Sequence, residues 1–318
     1  MWRTGLVVLV LGACSEEPQL PTHEGNAKIV ARDQDGPRAI TASDEALYWL
    51  TGTEAVSLVD GVGQPVVLAS GLSEPTAMCL TSSEHYVITF GEGAVLGGVR
   101  VPGGVFRVPL GGGLEDVFRP DTYGPSGLAC DDAGVYWMQM WSSSTTPSGL
   151  MSLVGDSPTL LVTDVTRPRD VTLDADFVYW SDGVQLMRAP RALPLVGEVT
   201  TTSPRDPQQL TVDRGELFWI APPTSSGELA SVFAAPVTGG APRLVAEILD
   251  QPTLHYSIAV DADFVYWTEF APGRVMRVAR GGGEPEVVAD GQGGPTNIVL
   301  RHGAAYWTNF GSNNVVGL

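Results

Sequence analysis

The sequence predicts an all-β chain: a seven-bladed β-propeller of four-stranded blades, its ring closed by the N-terminal strand pairing into the last blade. Three observations carry this. LDADFVYWSD at 173–182 returns as VDADFVYWTE at 260–269, so the chain repeats itself. A proline stands eleven residues before an aromatic at Pro37/Tyr48, Pro75/Tyr86, Pro125/Tyr136, Pro168/Tyr179, Pro207/Phe218 and Pro295/Tyr306, and a seventh copy, Pro252 to Tyr266, carries three extra residues. The 38 Gly and 24 Pro among 318 residues are spread evenly, which suits many short strands and turns rather than long helices.

Each unit reads as four strands. Three residues after the proline stand Ile40, Met78, Leu128, Val171, Leu210, Ile258 and Ile298. Small residues such as Thr41, Ala129 and Thr172 follow, then apolar ones again, the period of two expected of a strand packed between neighbours. The aromatic lies on the second strand and is followed by Trp at 49, 137, 180, 219, 267 and 307, with Val87 the exception. Third strands such as Val275-Met276-Arg277-Val278 lead through glycine turns such as Gly281-Gly282-Gly283 into a fourth strand. Four strands in roughly 42 residues is the size of a propeller blade. The tyrosine–tryptophan pairs are expected to fill the seams between blades.

The ends account for the ring. The seventh unit stops at Leu318 after its third strand, and Lys28 to Pro37 (KIVARDQDGP) aligns without gaps on Glu286 to Pro295 (EVVADGQGGP). The N-terminal segment therefore supplies the missing fourth strand and removes an exposed edge.

Residues 1–13 read differently. Met1 to Gly5 carries one positive charge, Leu6 to Leu11 is apolar, and LGAC follows. This resembles the signal peptide and lipobox of bacterial lipoproteins. The resemblance implies that Cys14 is lipid-modified, that residues 14–26 are a tether and that 27–318 form the propeller. It also implies export and anchoring to the cell envelope, the Ser after the cysteine pointing to the outer membrane. Elsewhere no run of apolar residues is long enough to span a bilayer.

Tyr-Trp-Thr-Asn at 306–309, Tyr-Trp-Thr-Glu at 266–269 and Tyr-Trp-Ser-Asp at 179–182 resemble the YWTD repeat of receptor propellers, and also the YVTN and NHL repeats of bacterial envelope proteins. The resemblance covers 27–318 and implies fold. It carries no functional residue across, because propellers host binding proteins, lactonases and lyases alike.

Function is mapped by loop variation. First-to-second turns lie on one face and are held to one length in six blades. Second-to-third and fourth-to-first connections lie on the other, vary from blade to blade, and mark it as the recognition face. Candidates there are Trp141, outside the repeated tryptophan position, Tyr123 and Tyr256, outside the repeated tyrosine position, and His255, a candidate general base near the central mouth. The four histidines lack metal-ligand spacing, and no serine-nucleophile or phosphate-loop motif is present. Asp131, Asp174, Asp213 and Asp261 open the first-to-second turns, where an Asx side chain bonds nearby backbone. Calcium at the Asp174/Asp176 and Asp261/Asp263 pairs is the one cofactor suggested, and these pairs are short of the oxygen ligands it needs. A net charge of −18 argues against nucleic acid. Cys79 and Cys130 occupy positions of opposite parity on adjacent first strands, so they face each other or point apart. A sheet spacing of about 10 Å argues against a bond between them.

These readings lead to a lipid-anchored envelope module that binds a protein or glycan and has no catalytic role. The alternative is a propeller lactonase or lyase with a divalent metal at the central mouth.

Overall fold

The computed structural model describes residues 23–318 apart from 61–62, 90–94, 97–98, 101–102, 119–123, 141–147, 164, 193–195, 226 and 249–256. It consists of antiparallel sheets. Seven of them are the blades, at 40–70, 75–118, 125–163, 168–202, 208–248, 258–289 and 295–317, numbered here in chain order. Blade 4 shows the plan. Pro168–Leu173, Phe177–Asp182, Gln185–Pro190 and Glu198–Thr202 pair in sequence order, each with the next. The first strands of all seven blades touch one another in a closed circuit, so they surround the axis.

Ring closure is as the sequence predicts. Ala27–Ala31 pairs with Asn314–Gly317 through Lys28↔Gly317, Ile29↔Val316 and Ala31↔Val315. His23–Glu24 adds a short fifth strand outside it. The aligned glutamines also prove equivalent: Trp49 Nε1 donates to Gln34 Oε1 at 2.9 Å, and Trp307 Nε1 donates to Gln292 Oε1 at 3.1 Å.

The aromatic pairs fill the seams. Tyr136 packs with Trp180, Tyr179 with Trp219, Phe218 with Trp267, Tyr266 with Trp307, Tyr306 with Trp49, and Tyr86 with Trp137, each joining one blade to the next. The six blade tryptophans are at most 1% exposed. Burying each ring stabilises the ring of blades by several kcal/mol, on the order of 3–5 per residue. At the seam of blades 1 and 2, Tyr48 meets Val87 and Phe106 instead.

The aspartates of the first-to-second turns act as Asx groups. Asp174 Oδ1 accepts the amides of Asp176 and Phe177 at 2.9 and 2.8 Å, and its Oδ2 accepts the Tyr179 hydroxyl at 2.7 Å. Asp261 repeats the arrangement with Asp263, Phe264 and Tyr266. Arginines on the same face then bind blade to blade: Arg191 grips Asp131 of blade 3, and Arg280 grips Asp213 of blade 5.

The expectation from sheet spacing fails at the cysteines. Cys79 and Cys130 are bonded, with their Cα atoms 5.7 Å apart. The 10 Å spacing describes parallel stacked sheets. Propeller blades converge on the axis, and first strands are their innermost edges, so opposite parity there brings two side chains together.

Candidate functional site at the channel mouth

Each first strand starts on the elaborated face, where its opening residues ring the axis. The residue two places after each blade proline is Ala39, Ala77, Gly127, Asp170, Gln209, Ser257 (after the insertion) and Asn297. The chain bulges just here: the pairing of Pro168 with Asp182 resumes only at Val171 with Trp180, and Pro295/Ile298 behaves likewise. A bulge leaves backbone amides in need of other acceptors.

Three blades meet this need in one way. The amides of Asp170, Ser257 and Asn297 donate to the hydroxyls of Ser181, Thr268 and Thr308 at 3.2, 3.0 and 3.3 Å. These hydroxyls belong to the residue after each Tyr-Trp pair, which gives the serine or threonine of those repeats a physical purpose. The side chains of Asp170, Ser257 and Asn297 then accept the amides of Leu210, Ile298 and Ile40 in the next blade at 2.7, 3.3 and 3.3 Å. Thr268 and Thr308 donate onward to the carbonyls of Thr296 and Arg38. The result is a broken polar ladder among the described residues, with rungs from blade 4 to 5, from 6 to 7 and from 7 to 1, and none from blade 5, which carries Ile220 at the hydroxyl position. Blades 1 to 3 carry Ile or aliphatic residues at the hydroxyl position (Leu50, Ile88, Met138) and Ala or Gly two places after the proline.

Ion pairs stand beside the ladder. Arg38 meets Glu74 of blade 2 at 2.5 Å, and Arg169 meets Asp206 of blade 5 at 3.3 Å, both between the residue after one proline and the residue before the next.

Asp170 differs from the other rungs in being ionisable. Its Oδ1 accepts the Val171 amide at 2.9 Å and its Oδ2 the Leu210 amide at 2.7 Å. Desolvation outweighs these bonds and pushes its pKa up to about 6. Each of its oxygens thus accepts one amide and keeps a second lone-pair site. Gly127 of blade 3 makes room for it: a Cβ there would lie 2.7 Å from the Asp170 Cα and 2.8 Å from the Val171 nitrogen.

Trp141, Tyr123, His255, Tyr256 and Cys14 lie outside the described residues. The elaborated face does carry an additional hairpin, Val95–Leu96 with Val99–Arg100, in the second-to-third connection of blade 2. Sequence reasoning passed over Asp170, Ser257 and Asn297. The signal that could have found them is internal: these polar residues occur in the same blades as the Ser or Thr after Tyr-Trp.

The fit to a metal is poor. Among the described residues no three His, Cys, Asp or Glu side chains are grouped as metal ligands, and both Asp170 oxygens already hold amides. The carboxylates of Asp174 and Asp261 are likewise engaged by amides and a tyrosine hydroxyl.

No family model matches the chain, and no curated protein matches it significantly in sequence. Solved structures do. The chain is similar to virginiamycin B lyase from Staphylococcus aureus, with a TM-score of 0.67 at 13% identity over 91% of this chain and 96% of that one. A gluconolactonase of Xanthomonas campestris gives a TM-score of 0.53 at 14% identity, covering 93% and 90%. A chain of a nidogen/laminin complex gives 0.52 at 17%, covering 76% and 87%. The likeness is one of fold.

Proposed function

We propose that the chain is a propeller enzyme that opens an ester bond of a cyclic substrate, with Asp170 as general base at the channel mouth. The observation that carries this is a lone carboxylate among the rungs, desolvated toward neutrality where its equivalents are Ser257 and Asn297. A base whose pKa approaches the working pH is both available and strong enough to take a proton. In hydrolysis, Asp170 takes a proton from water as the water oxygen adds to the carbonyl carbon. The ring C–O bond then breaks, and the leaving alkoxide takes that proton. Arg169, the residue before Asp170 and ion-paired with Asp206, is the adjacent cation for a developing oxyanion. The similarity to a lyase and a gluconolactonase supports this class of chemistry. The described residues give no metal a set of His, Cys, Asp or Glu donors.

The test is turnover of glucono-1,5-lactone and of virginiamycin B by the full chain and by Asp170→Asn. Asn keeps the oxygen that accepts the Leu210 amide, as Asn297 does in blade 7, and removes the base. A loss of about 10²-fold or more is expected. No turnover of either substrate by the wild type would count against the reading.

A second reading is favoured by the added hairpin of blade 2. Here the elaborated face binds an envelope protein or glycan, with Trp141, Tyr123, His255 and Tyr256 as contacts. Trp141→Ala would then abolish partner capture while leaving the melting point nearly unchanged. Both readings sit with export and a lipid anchor on Cys14. The Cys79–Cys130 bond supports an oxidising compartment, and Cys14→Ser is expected to abolish incorporation of labelled fatty acid.

A further inference from the structure

The face of uniform turns holds a second polar feature, at the one seam without a blade tryptophan. A cavity of ≈ 490 Å³ opens there between blades 1 and 2, lined in part by Tyr48, His85, Asp44, Glu45 and Asp132. A neighbouring hollow of ≈ 360 Å³ continues it toward blade 3 and shares Asp132.

His85 breaks the repeat. It precedes the blade aromatic, a place held by Leu47, Val135, Val178, Leu217, Val265 and Ala305 in the other six units. It lies two residues before Val87 and therefore on the same face of the strand. The side chain is 1% exposed, and its ring centroid lies 4.4 Å from that of Tyr48. Its Nδ1 is 3.3 Å from the Val108 carbonyl oxygen. A carbonyl only accepts, so Nδ1 carries the proton and Nε2 presents a lone pair. No described residue bonds Nε2, and the ring lines the cavity. Burial lowers the pKa of His85, which keeps the imidazole neutral and Nε2 an acceptor.

The rim is negative. Asp44 is fully exposed, Glu45 and Asp132 are exposed, and none of the lining residues is Lys or Arg. A buried acceptor, an aromatic ring and an anionic rim together select a donor with positive charge. We propose that this cavity binds a compact organic ammonium ion, one of whose N–H groups donates to His85 Nε2 while Tyr48 and the Asp44, Glu45 and Asp132 carboxylates offset its charge.

The test uses the full chain labelled with ¹⁵N in its histidines, titrated with n-butylammonium, with tetramethylammonium (the same charge and no N–H) and with 1-butanol (no charge). Butylammonium is expected to shift the His85 Nε2 resonance saturably at one equivalent. Tetramethylammonium is expected to bind at least tenfold more weakly, the worth of one hydrogen bond to a charged donor, and butanol not at all. His85→Leu restores the residue type of the other blades, so its melting point should hold or rise while affinity falls at least tenfold. Equal binding of tetramethylammonium, equal binding by His85→Leu, or no saturable shift at the wild-type imidazole would each overturn the proposal.

Discussion

The two halves of the ring solve one problem by different means. Between blades 4 and 5, 6 and 7, and 7 and 1, first strands are joined by hydrogen bonds through Asp170, Ser257, Asn297 and their hydroxyl partners. Across blades 2 to 4 the seams close by contact and covalency: Cys79 is bonded to Cys130, and Gly127 lets blade 4 approach closely. The tryptophan–tyrosine packing farther out hardly distinguishes the halves. What separates them is chemistry near the axis, where polar side chains of one blade satisfy backbone amides of the next. One half is joined near the axis by polar side chains, and the other is braced by the Cys79–Cys130 bond and carries its own polar feature in the cavity beside His85.

That contrast can be tested by weakening each half. Replacing both Cys79 and Cys130 by Ser should cause the largest loss. A cross-link spanning 51 residues is worth about 4 kcal/mol on chain-entropy grounds, read as a lowered urea midpoint; an unchanged midpoint would mean the brace does not depend on it. Next comes pH. The folded pKa of Asp170 is raised to about 6, above an unfolded value of about 3.9. The native state therefore holds the proton more tightly, and this contribution is fully present below about pH 4 and lost as pH rises through about 6. Relative to Asp170→Asn, the wild type should lose up to about 3 kcal/mol between pH 4 and 7. A pH-independent difference would mean that Asp170 titrates normally.

Smaller effects follow. Gly127→Ala pushes a methyl against the Asp170 backbone and should cost about 1–3 kcal/mol by overpacking, whereas Ala at Gly155, which has open space around it, would be limited to its left-handed backbone, φ 60°. Thr268→Val keeps shape but removes the acceptor of the Ser257 amide and the donor to Thr296. A loss of about 1 kcal/mol is expected. The same change in blade 5, where Ile220 already stands, has no hydroxyl to remove.

Much of the architecture was legible in the sequence because repetition makes it so. The Pro-to-aromatic spacing gave seven blades, and the match of Gln34 with Gln292 marked two residues that hold equivalent tryptophans. The disulfide was misjudged because sheet spacing was applied where blades converge. Candidate sites were harder. Trp141, Tyr123, His255 and Tyr256 stood out for being outside the repeat, yet Asp170 and His85 sit inside it, at positions where sister blades carry other residue types. Function written into a repeat shows as a departure at an aligned position, and only blade-by-blade comparison reveals it. His85 among six aliphatic residues is the plainest case.

The most direct measurement compares wild type with Asp170→Asn in lactone and virginiamycin B turnover, with melting curves on the same samples. Turnover by the wild type, lost about 10²-fold or more in a variant whose melting point is preserved at pH 4, is the predicted result. Turnover retained by Asp170→Asn would contradict the account and leave the ladder a structural device alone.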